Sequence, residues 1–225
     1  MDAACVRSWL GGVAARLEAE RDFLTQLDAA IGDADHGINM HRGFAAVMRK
    51  LATVDRATPG QLLRVTGRTF VSTVGGAAGP LYGTAFLQAG ETLGDEGSFG
   101  PRRLLEALRA SLDGVQRVGA ASEGDKTMVD ALAPGLAAYE LELRTGGSLE
   151  TAVRAGREAA AEGTRATVPM QARKGRASYL GPRSVGHQDP GATSTALMFA
   201  ALEQAVLADR SQRFATGSRT RASRR

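Results

Sequence analysis

Apolar residues recur three and four positions apart over most of this chain, the spacing of helices that bury one face. Blocks of this kind predict helices over about 4–27, 38–53, 60–74, 80–94, 101–119, 126–145, 148–166 and 191–208. Gly, Pro and Asp punctuate the blocks. Pro59 and Pro101 fall in a first helical turn, where a missing N–H costs nothing. Gly146-Gly147-Ser148 makes a tight connection, with Ser148 as N-cap of the next helix. Helix formers dominate and β-branched runs are short. Eight helices with mostly short connections predict an all-α bundle of antiparallel neighbours. Neither an internal repeat nor a linker interrupts the body.

One connection is long. Residues 167–190 carry Tyr179 and Leu180 among four cations, Arg173, Lys174, Arg176 and Arg183. A segment of this length inside a compact domain is usually functional, and its mixture of aromatic and cationic residues favours an ordered lid.

Composition narrows the class. The 225 residues suffice for one full core. Without an 18-residue apolar stretch no transmembrane helix is expected. Met1-Asp2-Ala3-Ala4-Cys5 lacks the basic and apolar blocks of a signal peptide. Cys5 is the sole cysteine, which excludes an internal disulfide and fits a reducing cytoplasm. The pI near 9.7 invites a nucleic-acid reading, and the distribution of charge argues against it. The chain is +4, and six Arg without an acid after residue 209 make the tail +6, so the body is −2. The division is therefore a helical domain over 1–209 and a basic, disordered, solvated tail over 210–225.

Candidate chemistry concentrates at Asp28-Ala-Ala-Ile-Gly-Asp33-Ala-Asp35-His36-Gly37. Three carboxylates converging on a glycine-bounded turn repel one another unless a cation sits between them. Hard divalent cations take oxygen ligands, and Mg²⁺ shares its shell with phosphate. The plainer alternative is a solvated turn in which Asp35 caps the next helix. An EF-hand is excluded, because the twelfth position from Asp33 is Phe44 and not Glu. An aspartyl-phosphate phosphatase requires a preceding buried strand, and the residues here read as helix.

Further signals are individually weak. Val74-Gly75-Gly76-Ala77-Ala78-Gly79-Pro80 opens a helix, where backbone N–H groups and the helix dipole favour an anion, or where glycines merely pack closely. It lacks the Gly-Lys-Ser/Thr of a P-loop. Asn39 and His36 are either phosphate contacts or a surface amide and a cap. Three His without paired Cys argue against zinc, and no nucleophile–His arrangement stands out. Arg176 lies in a basic cluster that is either solvated or offsets charge on a moving phosphoryl group. Asp189-Pro190-Gly191 is a turn into the last helix, with Asp189 a cap or a ligand acceptor.

Longer motifs then carry a resemblance. Gly32-Asp33-Ala34-Asp35-His36-Gly37-Ile38-Asn39-Met40, Gly79-Pro80-Leu81-Tyr82-Gly83-Thr84, Gly124-Asp125-Lys126-Thr127-Met128, the run from Met170 to Gly181 and that from Gly186 to Ser194 occur in this order. Together, over about residues 5–208, the chain resembles the nucleotide-binding, DhaL-type subunits of dihydroxyacetone kinases. The resemblance implies an eight-helix antiparallel barrel holding ADP or ATP and two Mg²⁺ at one end. It assigns Asp28, Asp33 and Asp35 to the metals. It assigns His36, Gly37, Ile38 and Asn39, with Gly76, Ala77, Ala78 and Gly79, to phosphates. Gly119, Met128, Arg176, Asp189, Pro190 and Gly191 would complete the nucleotide pocket, Arg176 also serving the transferring group. It further implies a sugar-binding partner subunit (DhaK type) holding dihydroxyacetone, and a phosphohistidine protein (DhaM type) or free ATP as donor. A related ketose such as erythrulose, and a nucleotide-loaded module that binds a transcription regulator, are alternatives. One departure is Ala78, where the family commonly has Ser, which removes a hydroxyl donor from the phosphate turn.

Overall fold

The computed structural model describes residues 1–222, with side chains described to Ser211. Helices α1 (Ala3–Ala19), α2 (Arg21–Ile31), α3 (His36–Leu51), α4 (Pro59–Thr73), α5 (Ala78–Leu93), α6 (Pro101–Gly119), α7 (Val129–Arg144), α8 (Leu149–Ala166) and α9 (Pro190–Ala222) follow in order. A 3-10 segment, Arg176–Ser184, lies between α8 and α9. The all-α expectation holds. The expectation of a disordered tail over 210–225 falls mostly on residues whose side chains are not described, and 223–225 lie outside the described residues altogether.

Packing closes a ring. From α3 to α9 each helix packs on its predecessor, α3 packs on α1, and α9 returns to α1. Among the described residues, α1 and α3–α9 succeed one another around this ring. The remaining helix, α2, packs mainly on α3 and also meets α9 and the 3-10 segment. It arises because the helix expected over 4–27 breaks at Glu20, whose backbone sits at φ −97°, ψ 10°. Periodicity concealed the break: buried Leu17 and Leu24 are two helical turns apart, so the apolar phase runs through it.

Local chemistry sets the helix starts. Thr58 and Gln61 form a reciprocal capping box at α4, followed by Pro59. Pro101 opens α6, and Ser148 caps α8 through the Thr151 N–H. The helix expected from 126 begins only at Val129. Ala120, Gly124 and Lys126 all have positive φ, and a chain with three such residues in close succession cannot be α-helical.

The interior joins α1, α3, α4 and α5 through Trp9, Phe44, Phe70, Tyr82 and Phe86, with ring centroids 5.1–6.1 Å apart. Trp9 Nε1 donates to the Met198 carbonyl at 3.0 Å, which pins α1 to α9. Helices α4 and α5 approach backbone to backbone. A Cβ on Gly67 would lie 2.6 Å from the Gly83 carbonyl oxygen, and one on Gly90 2.6 Å from that of Gly60. A small apolar cavity of about 60 Å³ remains inside the ring among Trp9, Phe86, Phe99, Leu104, Met198 and Phe199.

Candidate functional site

At one end of the ring lies a cleft of about 630 Å³. Five segments wall it: the α2–α3 turn, the α4–α5 turn, the end of α6 with residues 121–129, the lid at 174–179, and the start of α9.

The acidic wall comes first. Asp28 is on α2, and Asp33 and Asp35 lie on the turn before α3. One carboxylate oxygen from each falls within 4.8 Å of the others. Among the described residues no other cluster of three His, Cys, Asp or Glu has this spacing. The turn is bent by Ala34, whose φ of 61° is unusual for a residue with a Cβ. Asp35 occupies the N-cap position of α3, yet its side chain makes no capping bond. Asp28 does that work from α2: its Oδ2 accepts from the Asp35 and His36 N–H groups at 2.8 and 3.1 Å. The Asp35 carboxylate is left to face its neighbours. A hard, all-oxygen donor set this tight fits a divalent cation such as Mg²⁺.

The opposite wall suits an anion. Gly75, Gly76, Ala77 and Ala78 line the cleft. Gly76 has φ +65°, and a Cβ there or on Gly75 would meet nothing within 4 Å, so the backbone faces open space. Ala77 is the N-cap of α5 and offers no side-chain bond, leaving the first N–H groups of that helix without a capping acceptor from it. Asn39 is buried and lines the cleft. Its Oδ1 accepts from Arg42 at 2.8 Å, which leaves the amide N–H₂ for an acceptor in the cleft.

Between these walls runs a network of hydroxyls. His36 Nε2 lies 2.9 Å from Ser194 Oγ. The buried Tyr82 hydroxyl lies 2.7 Å from the same Oγ, 3.1 Å from Thr195 Oγ1 and 2.9 Å from the Gly191 carbonyl oxygen, to which it can donate. Burial pushes the His36 imidazole down to about 4, against the opposing pull of Asp28, so the ring is neutral at ordinary pH. Burial raises the Tyr82 hydroxyl well above its ordinary value.

Asp189 precedes Pro190 and caps α9, its Oδ2 accepting from the Ala192 N–H at 2.6 Å. Burial, reinforced by Asp130 and Asp28, pushes its carboxyl up to about 7, while the Ala192 N–H and Lys126 pull the other way. From the lid, Arg176 Nε reaches Asp33 Oδ2 at 3.0 Å, with the arginine side chain exposed.

Of the residues singled out from sequence, the cleft gathers Asp28, Asp33, Asp35, His36, Asn39, Gly76, Ala77, Ala78, Gly119, Met128, Arg176, Asp189, Pro190 and Gly191. Three others do not line it. Gly37 is buried with its Cα against the first turn of α2, Ile38 is half exposed, and Gly79 packs on the Val74 carbonyl. Lys126, Thr127, Tyr82 and Ser194 were not singled out, and Tyr179 was named only as part of the lid. Four of them stand in the cleft wall, and Ser194 ties two of its sides together. All except Ser194 occurred inside the quoted motifs as unassigned letters, and Ser194 closes the last motif.

An all-helical ring with three acids, a glycine turn and a lid cation around one end cleft is an all-α module suited to a metal-bound phosphate ligand. The DAK2 domain model matches residues 30–204, and the chain belongs to that family. The chain is 43% identical over 199 residues to the PEP-dependent dihydroxyacetone kinase, ADP-binding subunit DhaL, of Escherichia coli, covering 88% of this chain and 95% of that protein. It is 36% identical over 182 residues to D-erythrulose kinase of Mycolicibacterium smegmatis, covering 80% of this chain and 31% of that one. The solved dihydroxyacetone kinase of C. freundii in complex with AMP-PNP and Mg²⁺ superposes with a TM-score of 0.69 at 26% identity. That match covers 91% of this chain and 34% of the kinase, so the chain spans about a third of the solved protein. The relatives are kinases, and the chain falls among phosphotransferases.

Proposed function

We propose that this chain is the ADP/ATP-binding subunit of a dihydroxyacetone kinase and works with a sugar-binding partner. The observation that carries the reading is the juxtaposition, around one cleft, of the acid trio, the open Gly75-Gly76 turn and the lid arginine. The cleft volume lies within the range of small-ligand sites.

Asp28, Asp33 and Asp35 would hold two Mg²⁺, which when bound offset the charge of the phosphates. The α5 N-terminus and the Asn39 amide would orient phosphate oxygens from the other side. Leu81, Val115, Ala121 and Met128 supply an apolar slot beside Gly119, suited to a flat base. Arg176 would leave Asp33 for the transferring phosphoryl group, an exposed pair worth little by itself and therefore easily exchanged. No side chain in the cleft is poised as a nucleophile, so catalysis rests on positioning and electrostatics. The ketose would be presented by the partner, which then decides between dihydroxyacetone and erythrulose. Relatives of nearly equal length are named PEP-dependent or PTS-dependent ADP-binding subunits, which supports bound ADP recharged by a phosphohistidine protein over free ATP as donor.

Native mass spectrometry of the freshly purified chain tests this. A mass excess of ADP with Mg²⁺ supports a resident nucleotide, and uptake only on addition supports exchange with ATP. No uptake under either condition overturns the nucleotide reading. Asp33→Asn should weaken Mg·ADP binding on the order of 10–100-fold, the cost of losing a charged contact. Unchanged binding would refute the metal assignment.

A further inference from the structure

The motif Gly124-Asp125-Lys126-Thr127-Met128 contributes Met128 to the proposed nucleotide site, and Lys126 has no part in it so far. Its side chain is 1% exposed although it lines the cleft wall. The ammonium donates to the Thr167 carbonyl at 2.7 Å and to the His187 carbonyl. Those two residues are the neck of the long connection that carries Arg176. The neck is closed further by the Gly186 N–H on the Val168 carbonyl, at 2.8 Å, and by the Asp189 N–H on Thr167 Oγ1, at 3.0 Å. The same segment grips the lid a second time, the Arg173 N–H donating to the Asp125 carbonyl at 3.0 Å.

Lys126 is costly to place. Its φ is +62°, a conformation that disfavours any residue with a Cβ. An ammonium out of water also needs compensation. Compensation comes from the two carbonyls and from the carboxylates of Asp189, once ionised, and Asp130. Asp130 in turn holds the strained turn, accepting from the Gly124 and Thr127 N–H groups. A lysine surrounded in this way cannot swing out to meet a ligand without abandoning its carbonyls.

We propose that Lys126 is a positioning residue: its ammonium clasps the neck of the 167–189 connection and thereby sets where Arg176 stands over the cleft. This rests on the reading of Arg176 as the lid cation of a nucleotide site. Loss of the clasp leaves the acid trio and the glycine turn in place and loosens the lid.

Lys126→Met and Lys126→Arg are the variants, assayed in the full chain with its sugar-binding subunit. Lys126→Met should lower kcat on the order of 10–100-fold, the scale of a misplaced catalytic group, with KM for the nucleotide changed less than about threefold. Lys126→Arg should recover part of the loss. Combining Lys126→Met with Arg176→Gln should cost no more than Arg176→Gln alone, because the clasp acts through that arginine. Equal fold-losses in both backgrounds would overturn the proposal. Limited trypsinolysis of the chain without nucleotide reads the lid directly. Faster cleavage at Arg173, Lys174 or Arg183 in Lys126→Met, with cleavage elsewhere unchanged, supports the clasp, and unchanged lid cleavage refutes it. That readout holds even if the wild-type chain takes up no Mg·ADP, an outcome that would overturn the nucleotide site alone. Should the Met variant melt too low to assay, the Arg variant in the same cycle decides.

Discussion

His36 and Asp189 are both close enough to Asp28 to feel its charge, and burial moves them in opposite directions. The imidazole ordinarily titrates at 6.5 and here falls to about 4. Between those values the unfolded chain binds a proton that the folded chain refuses, so folding strengthens as pH rises through this window. The Asp189 carboxyl ordinarily titrates at 3.8 and here rises to about 7. Between those values the folded chain keeps a proton that the unfolded chain has lost, so folding weakens as pH rises. The two slopes oppose each other from about pH 4 to 6.5, and in the metal-free chain they largely cancel. Single substitutions should unmask them. Left with the Asp189 slope alone, His36→Gln should lose stability progressively from pH 4 to 7. Asp189→Asn, which still offers an oxygen to the Ala192 N–H, should gain stability from pH 4 to 6.5. Urea midpoints measured against pH in chelator decide the matter, and parallel curves for all three proteins would show that neither group is displaced in the fold.

Among the elements, the α4–α5 pair makes two costs separable. Thr58→Ala removes one half of the capping box and should cost about 1 kcal/mol. Gly67→Ala pushes a methyl toward the Gly83 carbonyl and Leu87, both under 2.8 Å away, and should cost about 1–3 kcal/mol because backbone cannot yield as a side chain can. If thermal melts rank the two the other way, the helices are less closely packed than this seam requires. The start of α4 was legible in the sequence from Pro59, and so were those at Pro101 and Ser148, because helix starts are local chemistry. The break at Glu20 was not legible, since neither Gly nor Pro marks it and Leu17 and Leu24 keep phase across it. Residues 126–128 read as helix for a similar reason: positive φ at Ala120 and Lys126 leaves no trace in residue type. The site divides along the same line. Asp28, Asp33 and Asp35 are neighbours in sequence and announced themselves. Lys126 and Tyr82 owe their surroundings to Thr167, His187, Gly191 and Ser194, which only the closed ring brings near.

For the whole molecule, the cleft walls run from Asp28 in α2, packed against the ring, to Gly191 in α9, its last helix, so a ligand held there would join parts of the chain far apart in sequence. A ligand that binds only the folded chain stabilises it by about 2.7 kcal/mol at 100 times its dissociation constant. A chain of this size gains about 2–4 °C in Tm per kcal/mol. Mg·ADP at that concentration should therefore raise Tm by about 5–10 °C, and Asp33→Asn should gain much less at the same concentrations. Mg²⁺ alone should give a smaller rise than Mg·ADP, since it engages one wall where the complex engages both. Hydrogen exchange distinguishes a bridge across the ring from a local contact. Protection on adding Mg·ADP should appear in α2, in residues 120–128 and in the first turn of α9 together. Protection confined to the α2–α3 turn would mean that the acids bind a cation without drawing the other walls in, and the cleft would then be a metal site rather than a nucleotide site.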